Sequence, residues 1–384
     1  DKQLSEDTST DGSRRVRKAE ACRRLGIVQH NLNQIDAARI SFHEAVNLFT
    51  ALSVEFPNQS EYRDELANSY RGLHNVLCHQ DEVAALDATE VEMLLLSDLA
   101  AEFPENCAYR VRLMESHLAG TNLLRPRNNQ RTEELLREAL RILAGLIEDL
   151  PEQGRQFESL SLAASHQLAS SLRFHRGSVD EALRIIRNVV KKREQLSRQF
   201  PDDATLRSKL TGSMRELACA LLLRGLPNEA NQVLSDAEDC LEGLSRGQSE
   251  TPIVHRNLGQ NYDALGQVHR AEQLLLVAAQ LWENEAAVAN LSRPLEHGRT
   301  LTALGRIQEA DGRFADAEKS FREAIRLHGG SSRFADQHEH SVALVSLGRW
   351  LQRDGQFLKA VEAFRKGLTI AQGLNEGSVT HGRA

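Results

Sequence analysis

The stretch DGRFADAEKSFREAIRL, residues 311–327, returns 43 positions later as DGQFLKAVEAFRKGLTI, residues 354–370. Each copy opens with Asp-Gly-x-Phe and then places a small residue and a phenylalanine four positions apart, Ala317 with Phe321 and Ala360 with Phe364. Because residues four apart lie on the same face of an α-helix, each copy predicts a helix with one apolar side. A single helix cannot cover that side, so the repetition predicts that neighbouring copies bury one another.

The small residue recurs along the whole chain at intervals of 41 to 50 residues, at Ala38, Ala84, Thr132, Ala182, Ala230, Ala271, Ala317 and Ala360. In most repeats a large apolar residue follows four positions later, and a glycine or alanine lies twelve positions earlier, as at Gly26, Gly259, Gly305 and Gly348. The small residues would let two helices pack closely. A period in this range predicts about eight antiparallel helical hairpins stacked into an α-solenoid.

The composition favours an all-α fold, since Leu, Ala, Glu and Arg are abundant and no long stretch alternates apolar and polar residues. A net charge of −7 gives no general attraction to nucleic acid or to an anionic membrane. A basic cluster at residues 13–24 leaves two interpretations open, a phosphate or nucleic-acid patch and a solvated first helix.

The cysteines and the hydropathy of the sequence indicate in which cellular compartment the protein is expected. Five cysteines occur without a Cys-x-x-Cys pair, which argues against a disulfide framework and a thiolate zinc site. No apolar run reaches the roughly 18 residues that a membrane-spanning helix needs. We therefore expect reduced thiols and a cytoplasmic location.

The order Leu-Gly, small residue, Phe, Ala resembles the tetratricopeptide repeat, and residues 299–327 and 342–367 match it best. The resemblance implies a right-handed α-solenoid superhelix. The period near 46 exceeds the family's usual length of about 34 residues, which predicts a second helix about seven residues longer in each hairpin. Proline ends several repeats, in EFPNQ, EFPEN, DLPEQ and QFPDD, because it cannot continue a helix.

The chain divides by composition into three parts. We expect a polar flexible linker over residues 1–15, a repeat array over 16–372 and a polar tail over 373–384. The phrase EFPNQSEYRDELANSYRGL, residues 55–73, resembles the long repeats that follow the kinase domain in large bacterial Hanks-type serine/threonine kinases. That resemblance implies that the array is one region of a larger signalling protein.

Motifs that carry catalysis are missing from the sequence. Neither a Gly-rich phosphate loop nor a kinase catalytic loop is present, so we predict a non-catalytic chain without a cofactor. His338 with His340, and His74 with His79, have spacings that suit no metal site on a helix. Trp282 and Trp350 lie on amphipathic segments, where core packing is the expected role.

The family resemblance implies that the first helix of each hairpin lines a concave groove, at fixed positions before and after the Gly of Leu-Gly. Those positions carry a polar and basic set, Arg215, Arg256 with Asn257 beside it, Gln260, Arg306 and Arg349, and an apolar set, Leu73, Val76, Leu124, Phe174 and Leu222. We predict a groove that binds a peptide with acidic residues at one end. In the alternative, the arginines pair with neighbouring acids such as Asp263 and Glu309.

The sequence thus predicts a non-catalytic scaffold that binds a protein or peptide partner, without membrane or nucleic acid. The competing hypothesis is a regulatory or oligomerisation module that acts on an attached serine/threonine kinase domain.

Overall fold

The computed structural model describes residues 2–78, 80–124, 129–173, 178–201, 203–241, 251–289, 294–329 and 334–379. Over these ranges the chain forms sixteen α-helices and a 3₁₀ turn at Pro151–Gln153. The helices are α1 Lys2–Asn31, α2 Ile35–Glu55, α3 Ser60–Leu77, α4 Glu82–Glu102, α5 Cys107–Leu124, α6 Asn129–Asp149, α7 Gly154–Leu172, α8 Val179–Gln199, α9 Ala204–Arg224, α10 Pro227–Leu241, α11 Thr251–Ala264, α12 Val268–Ala289, α13 Pro294–Ala310, α14 Phe314–His328, α15 Phe334–Arg353 and α16 Phe357–Val379. The predicted all-α architecture is confirmed.

The chain divides into two compact units, Asp1–Ser171 and Leu172–Ala384. Unit 1 contains the hairpins α1/α2, α3/α4 and α5/α6, followed by α7, and each hairpin packs on the next. Unit 2 contains α8 and the hairpins α9/α10, α11/α12, α13/α14 and α15/α16, again packed in chain order. Odd-numbered helices are called first helices below, and even-numbered helices are called second helices.

The repeat positions read from the sequence form the core of these hairpins. In α14, Ala317, Phe321 and Ala324 are buried, and the same three positions are buried in five further second helices. They are Ala38, Phe42 and Ala45; Thr132, Leu136 and Ala139; Ala182, Ile186 and Val189; Ala230, Leu234 and Ala237; and Ala271, Leu275 and Ala278. In the hairpins that lie within one unit, an apolar face of the second helix therefore packs against the first helix.

Glycines of the first helices lie directly on the large residue of the second helix. A Cβ atom built on Gly305 would lie 2.7 Å from Phe321 Cε1, and one on Gly348 would lie 2.8 Å from Phe364 Cδ1. Gly259 makes the same approach to Leu275, at 2.9 Å. These distances are shorter than carbon atoms tolerate, so only glycine allows the two helices to come this close.

The Asp-Gly pair of the opening stretch forms the turn between the two helices of a hairpin. Gly312 and Gly355 have φ angles of 78°, in the left-handed region that ends many helices. Asn33 takes the same conformation at the equivalent turn of the first hairpin, with φ of 58°. The quoted stretch thus encodes both the turn and the helix that follows it.

Successive hairpins of unit 1 repeat one set of polar and aromatic contacts. Ion pairs join a first helix to the end of its second helix in Arg15–Glu55, Arg63–Glu102 and Arg110–Asp149, at 2.5, 2.6 and 2.6 Å. The phenylalanine before each proline stop contacts a tyrosine of the next helix, with ring centroids 6.0 Å apart for Phe56–Tyr62 and 6.2 Å for Phe103–Tyr109. The residue before each proline therefore also helps to position the first helix of the following hairpin.

The second hairpin differs from the sequence-based expectation. Its buried small residue is Ala85 rather than Ala84, and Glu92, seven positions further on, is buried as well. Helix α1 begins at Lys2 and helix α16 ends at Val379, so these helices extend into residues 1–15, the expected polar flexible linker, and residues 373–384, the expected polar tail.

The predicted extra length of the second helices is present in part. Helices α2, α4, α6 and α8 each have 21 residues, whereas α14 has 15. Trp282 and Trp350 are buried as expected. The five cysteines are free and half-buried. No helix in the described ranges is long and apolar enough to cross a membrane.

Candidate functional site

The apolar set predicted for the groove belongs mainly to the core of unit 1. Leu73 and Val76 of α3 are buried in one cluster with Phe42, and Leu124 of α5 is buried in the next cluster. Leu222 of α9 is half-buried, and Phe174 lies outside the described residues. Leu73, Val76 and Leu124 stabilise the fold and offer no open apolar strip to a partner.

Arg215 of α9, in unit 2, faces a buried acid next to it in the chain. Its Nη2 lies 3.5 Å from Glu216 Oε2, and Arg173 Nε lies 2.9 Å from Glu216 Oε1. Asn261 of α11 donates a hydrogen bond to the backbone carbonyl of Arg215 at 3.3 Å. Arg215 thus contributes to the contact between α9 and α11.

Arg256 of α11 is buried and is not exposed to solvent. It pairs with Glu296 of α13, and its Nη2 donates a 2.9 Å hydrogen bond to Asn257 Oδ1. Burial lowers the pKa of Arg256, although Glu296 acts in the opposite direction. Arg256 and Asn257, two of the predicted groove residues, are brought together, but their polar groups satisfy each other and Glu296.

The pairing continues along the first helices of unit 2. Arg299 of α13 binds Glu296 at 2.9 Å on its own helix and Glu339 of α15 at 3.0 Å. Burial alone would raise the pKa of Glu296, but the guanidinium groups of Arg256 and Arg299 together lower it below its ordinary value. Helices α11, α13 and α15 are therefore joined by a row of alternating charges.

Two of the predicted arginines remain open to solvent. Arg306 of α13 and Arg349 of α15 are exposed, and neither forms an ion pair with any residue in the described ranges. They occupy the same repeat position, one residue after Gly305 and Gly348, and exposed Gln260 holds that position after Gly259 on α11. Because each glycine faces the second helix, the next residue is turned about 100° away from that contact. Gln260, Arg306 and Arg349 are called the open row below.

The alternative hypothesis, that acids of this chain pair with the predicted arginines, holds for the arginine three residues before the glycine. It does not hold for the arginines one residue after the glycine. Arg256, three residues before its glycine, meets an acid of the next first helix. Glu309, which was expected to neutralise an open-row arginine, instead pairs with Arg353 at 2.7 Å. The open row therefore keeps its positive charge available.

Sequence reasoning missed an ion-pair network around Arg71 in unit 1. Arg71 of α3 binds buried Glu92 of α4 at 2.7 Å and Glu115 of α5 at 2.8 Å, and donates to the carbonyl of Arg112 at 3.1 Å. Burial raises the pKa of Glu92, and Arg71 partly offsets that effect. The signal in the sequence was Glu92 itself, because the third buried position of the second helix holds Ala or Val in other hairpins.

No cluster of three or more His, Cys, Asp or Glu side chains in the described part of the chain could hold a metal ion. His338 is exposed and His340 is half-buried, and burial lowers the pKa of His340. His79 lies outside the described residues.

Residues 296–373 match the tetratricopeptide repeat family, so the predicted resemblance is confirmed for that segment. The segment runs from α13 into α16 and contains Arg306 and Arg349. No curated protein is significantly similar to the chain.

Several solved structures are similar to the chain at low sequence identity. A putative kinesin light chain of Podosopora anserina, with nearly identical TPR-like repeats, is 22% identical over 55% of this chain and 94% of its own, with a TM-score of 0.41. BtubC (BKLC) from P. vanneervenii is 15% identical over 77% of this chain and 93% of its own, with a TM-score of 0.38. The human IFIT1 dimer with m7Gppp-AAAA is 17% identical over 90% of this chain and 66% of its own, with a TM-score of 0.43.

Proposed function

We propose that this chain is a non-catalytic scaffold that binds an acidic segment of a protein partner along the open row. The observation that carries the proposal is the pair Arg306 and Arg349. They are exposed at equivalent positions of successive first helices, without an ion pair to the described residues, while Arg256 and Arg299 beside them are neutralised. Guanidinium groups bind carboxylates in a bidentate manner, and two arginines one repeat apart suit an extended acidic segment.

The expected contact depends on charge. Attraction between exposed charges weakens within a Debye length of about 10 Å at 0.1 M salt, so affinity should fall as salt increases. The net charge of −7 disfavours non-specific binding of acidic molecules, and selectivity would depend on the local charge of the open row.

The test uses fluorescein-labelled peptide pools, one rich in Asp and Glu and one with Asn and Gln at the same positions, with binding followed by fluorescence anisotropy. The acidic pool should bind more tightly, and the combined substitutions Arg306→Glu and Arg349→Glu should weaken its binding at least tenfold, about 1.4 kcal/mol. Arg322→Glu on α14 is the matched control, because this exposed arginine lies on a second helix and pairs with Glu318. Equal binding by the double variant and the control would refute the proposal.

A second candidate function is regulation or oligomerisation of an attached serine/threonine kinase domain in a larger, cytoplasmic signalling protein. The resemblance of residues 55–73 to the repeats of bacterial Hanks-type kinases supports it. Joining the chain to its neighbouring coding sequence and measuring phosphorylation with and without residues 16–372 would test this role.

A further inference from the structure

Helix α8 carries an arginine at a position where other second helices carry a buried apolar residue. Arg193 lies eleven residues after Ala182, the first buried small residue of α8. Arg193 is only 7% exposed. In four other second helices the same position is held by an apolar residue that is no more than 3% exposed, namely Phe49, Leu96, Leu143 and Trp282. Unit 2 therefore buries a guanidinium group at a position that elsewhere holds an apolar side chain.

The guanidinium group of Arg193 reaches from α8 to the backbone of α9. Its Nη1 donates a 2.7 Å hydrogen bond to the carbonyl oxygen of Lys209 and a second hydrogen bond to Ser213 Oγ. An arginine side chain has five N–H donors, and the two on Nη1 are used in this way. Nε and Nη2 carry the other three donors and form no hydrogen bond with the described residues. Helix α9 thus holds one side of the guanidinium group and leaves the edge formed by Nε and Nη2 without a protein partner from those residues.

The charge of Arg193 is not neutralised by an acid of the described residues. Arg256, which is also 7% exposed, forms an ion pair with Glu296, whereas Arg193 forms no ion pair within those ranges. Glu194, the next residue of α8, is turned about 100° away on the helix and lies 3.9 Å from Arg198. Burial lowers the pKa of Arg193 to about 10, so the side chain remains charged at neutral pH. A buried charge without a counter-charge is unfavourable, and an anion would relieve that cost.

We propose that Arg193 binds a small oxyanion of the phosphate class through Nε and Nη2. Two parallel N–H groups that donate to two oxygens of one anion form the bidentate contact that guanidinium groups make with phosphate and carboxylate. Because Nη1 is held by Lys209 and Ser213, the donor edge is already oriented, and little side-chain freedom would be lost on binding. The negative charge of the anion would balance the buried cation.

The burial of Arg193 limits what can reach it. At 7% exposure only a narrow edge of the side chain meets solvent. An acidic side chain of a partner protein would have to bring its backbone to this edge, whereas a free phosphate ion carries no attached chain. The exposed side chain of Lys209, which forms no ion pair with the described residues, adds positive charge that attracts anions to this part of the surface. Burial therefore favours a free inorganic anion over a carboxylate that belongs to a second macromolecule.

Isothermal titration calorimetry of the whole chain with sodium phosphate, at neutral pH and constant ionic strength, tests the proposal. One phosphate per chain should bind in a saturable manner, and Arg193→Met should weaken this binding about tenfold or more. Arg193→Lys keeps a positive charge without the paired donors, so it should weaken binding as well. Arg184→Met is the matched control, because the side chain of Arg184 lies on the same helix and is 76% exposed, and this variant should bind phosphate as the unsubstituted chain does.

Thermal unfolding followed by tryptophan fluorescence gives an independent measurement. Above the Kd, each tenfold increase in phosphate should raise the unfolding midpoint of the unsubstituted chain and of Arg184→Met by about 3–6 °C. Without phosphate, Arg193→Met should have a higher midpoint than the unsubstituted chain, because an apolar side chain replaces an unpaired buried charge. With phosphate, Arg193→Met should show only the general stabilisation that excluded salts give to any folded protein.

The outcomes that would overturn the proposal are distinct. Absence of saturable phosphate binding by the unsubstituted chain would do so, and so would equal responses of Arg193→Met and Arg184→Met to phosphate. Acetate at the same ionic strength separates the two classes of oxyanion, since Arg193-dependent binding of acetate without binding of phosphate would contradict the assignment to phosphate. Circular dichroism checks that Arg193→Met is folded, and Arg193→Lys carries the same comparison if it is not.

Discussion

Substitution of Gly305 by alanine tests the close contact between first and second helices. The added methyl group would lie 2.7, 2.9 and 3.1 Å from three ring atoms of Phe321, which is buried in the core of unit 2. Overpacking of a tight core costs about 1–3 kcal/mol. Alanine in place of glycine within a helix gains about 1 kcal/mol, so the net expectation is a loss of about 1 kcal/mol in the free energy of unfolding.

A matched control separates the two effects. Gly212 lies inside α9 of the same unit, and no atom lies within 4 Å of a Cβ built on it. Gly212→Ala should therefore stabilise the protein by about 0.5–1 kcal/mol. The difference between the two variants reports the contact alone, since the gain in helix propensity is common to both.

The assay is urea unfolding followed by tryptophan fluorescence. Trp282 and Trp350, the two tryptophans of the chain, are both buried in unit 2, and Trp350 shares a cluster with Phe321. Adding Phe321→Leu to Gly305→Ala should relieve the clash and give a favourable coupling energy of about 1 kcal/mol. Equal stabilisation by Gly305→Ala and Gly212→Ala would refute the proposed packing.

Three further predictions concern buried titratable groups. Burial on α5 lowers the pKa of His117 from 6.5 to about 4, so between these pH values the folded state binds fewer protons than the unfolded state. The free energy of unfolding should therefore fall by up to about 3 kcal/mol as the pH drops from 6.5 to 4. His117→Asn should remove this pH dependence, as unfolding followed by circular dichroism would show. Because the pKa of Glu296 is lowered in the folded state, its ionised form stabilises the fold above pH 4.5, and this stability is lost as the pH falls through the lowered pKa. Glu296→Gln should therefore destabilise unit 2 by about 3 kcal/mol at pH 7 and have little effect at a pH below the lowered pKa of Glu296. Urea unfolding followed by tryptophan fluorescence would show both results. Arg71→Met should cost about 3–5 kcal/mol because Glu92 is left buried and unpaired, and Glu92→Met added to it should restore most of the loss in a thermal melt.

The hairpins could be predicted from the sequence because the same residue types form the same helix–helix contact in each repeat. Phe321 needs a glycine sixteen positions earlier, and the pair recurs as Gly348 with Phe364 and Gly26 with Phe42. A contact between residues of one hairpin can be read from spacing alone. The division into two units after Ser171 was not predicted, although the glycine position of that hairpin, twelve residues before Ala182, holds Ser170.

The second hairpin shows why one register was misread. Thr89 and Glu92 stand on its buried face, so the true face runs through Ala85, while the apolar pattern alone favours Ala84. Glu92 is tolerated there because Arg71 reaches it from the preceding helix. A polar residue that is satisfied by a partner on another helix is not visible in a local apolar pattern.

The site was predicted only in part for the same reason. Arg256 and Arg306 look alike in the sequence, each near the glycine of a first helix. Their difference lies on the neighbouring helix, which offers Glu296 to Arg256. Spacing places an arginine on a face, but whether its charge is neutralised depends on the next repeat.

Site-directed photocrosslinking tests most directly whether a partner binds at the open row. Gln260, exposed at the same repeat position as Arg306 and Arg349, would be replaced by p-benzoylphenylalanine, and exposed Gln280 on the second helix α12 would carry the same group as the control. With the labelled acidic peptide pool, crosslinking should occur at position 260 and be lost when Arg306 and Arg349 are both changed to glutamate. Crosslinking that is equal at positions 260 and 280, or that survives those two substitutions, would contradict the account.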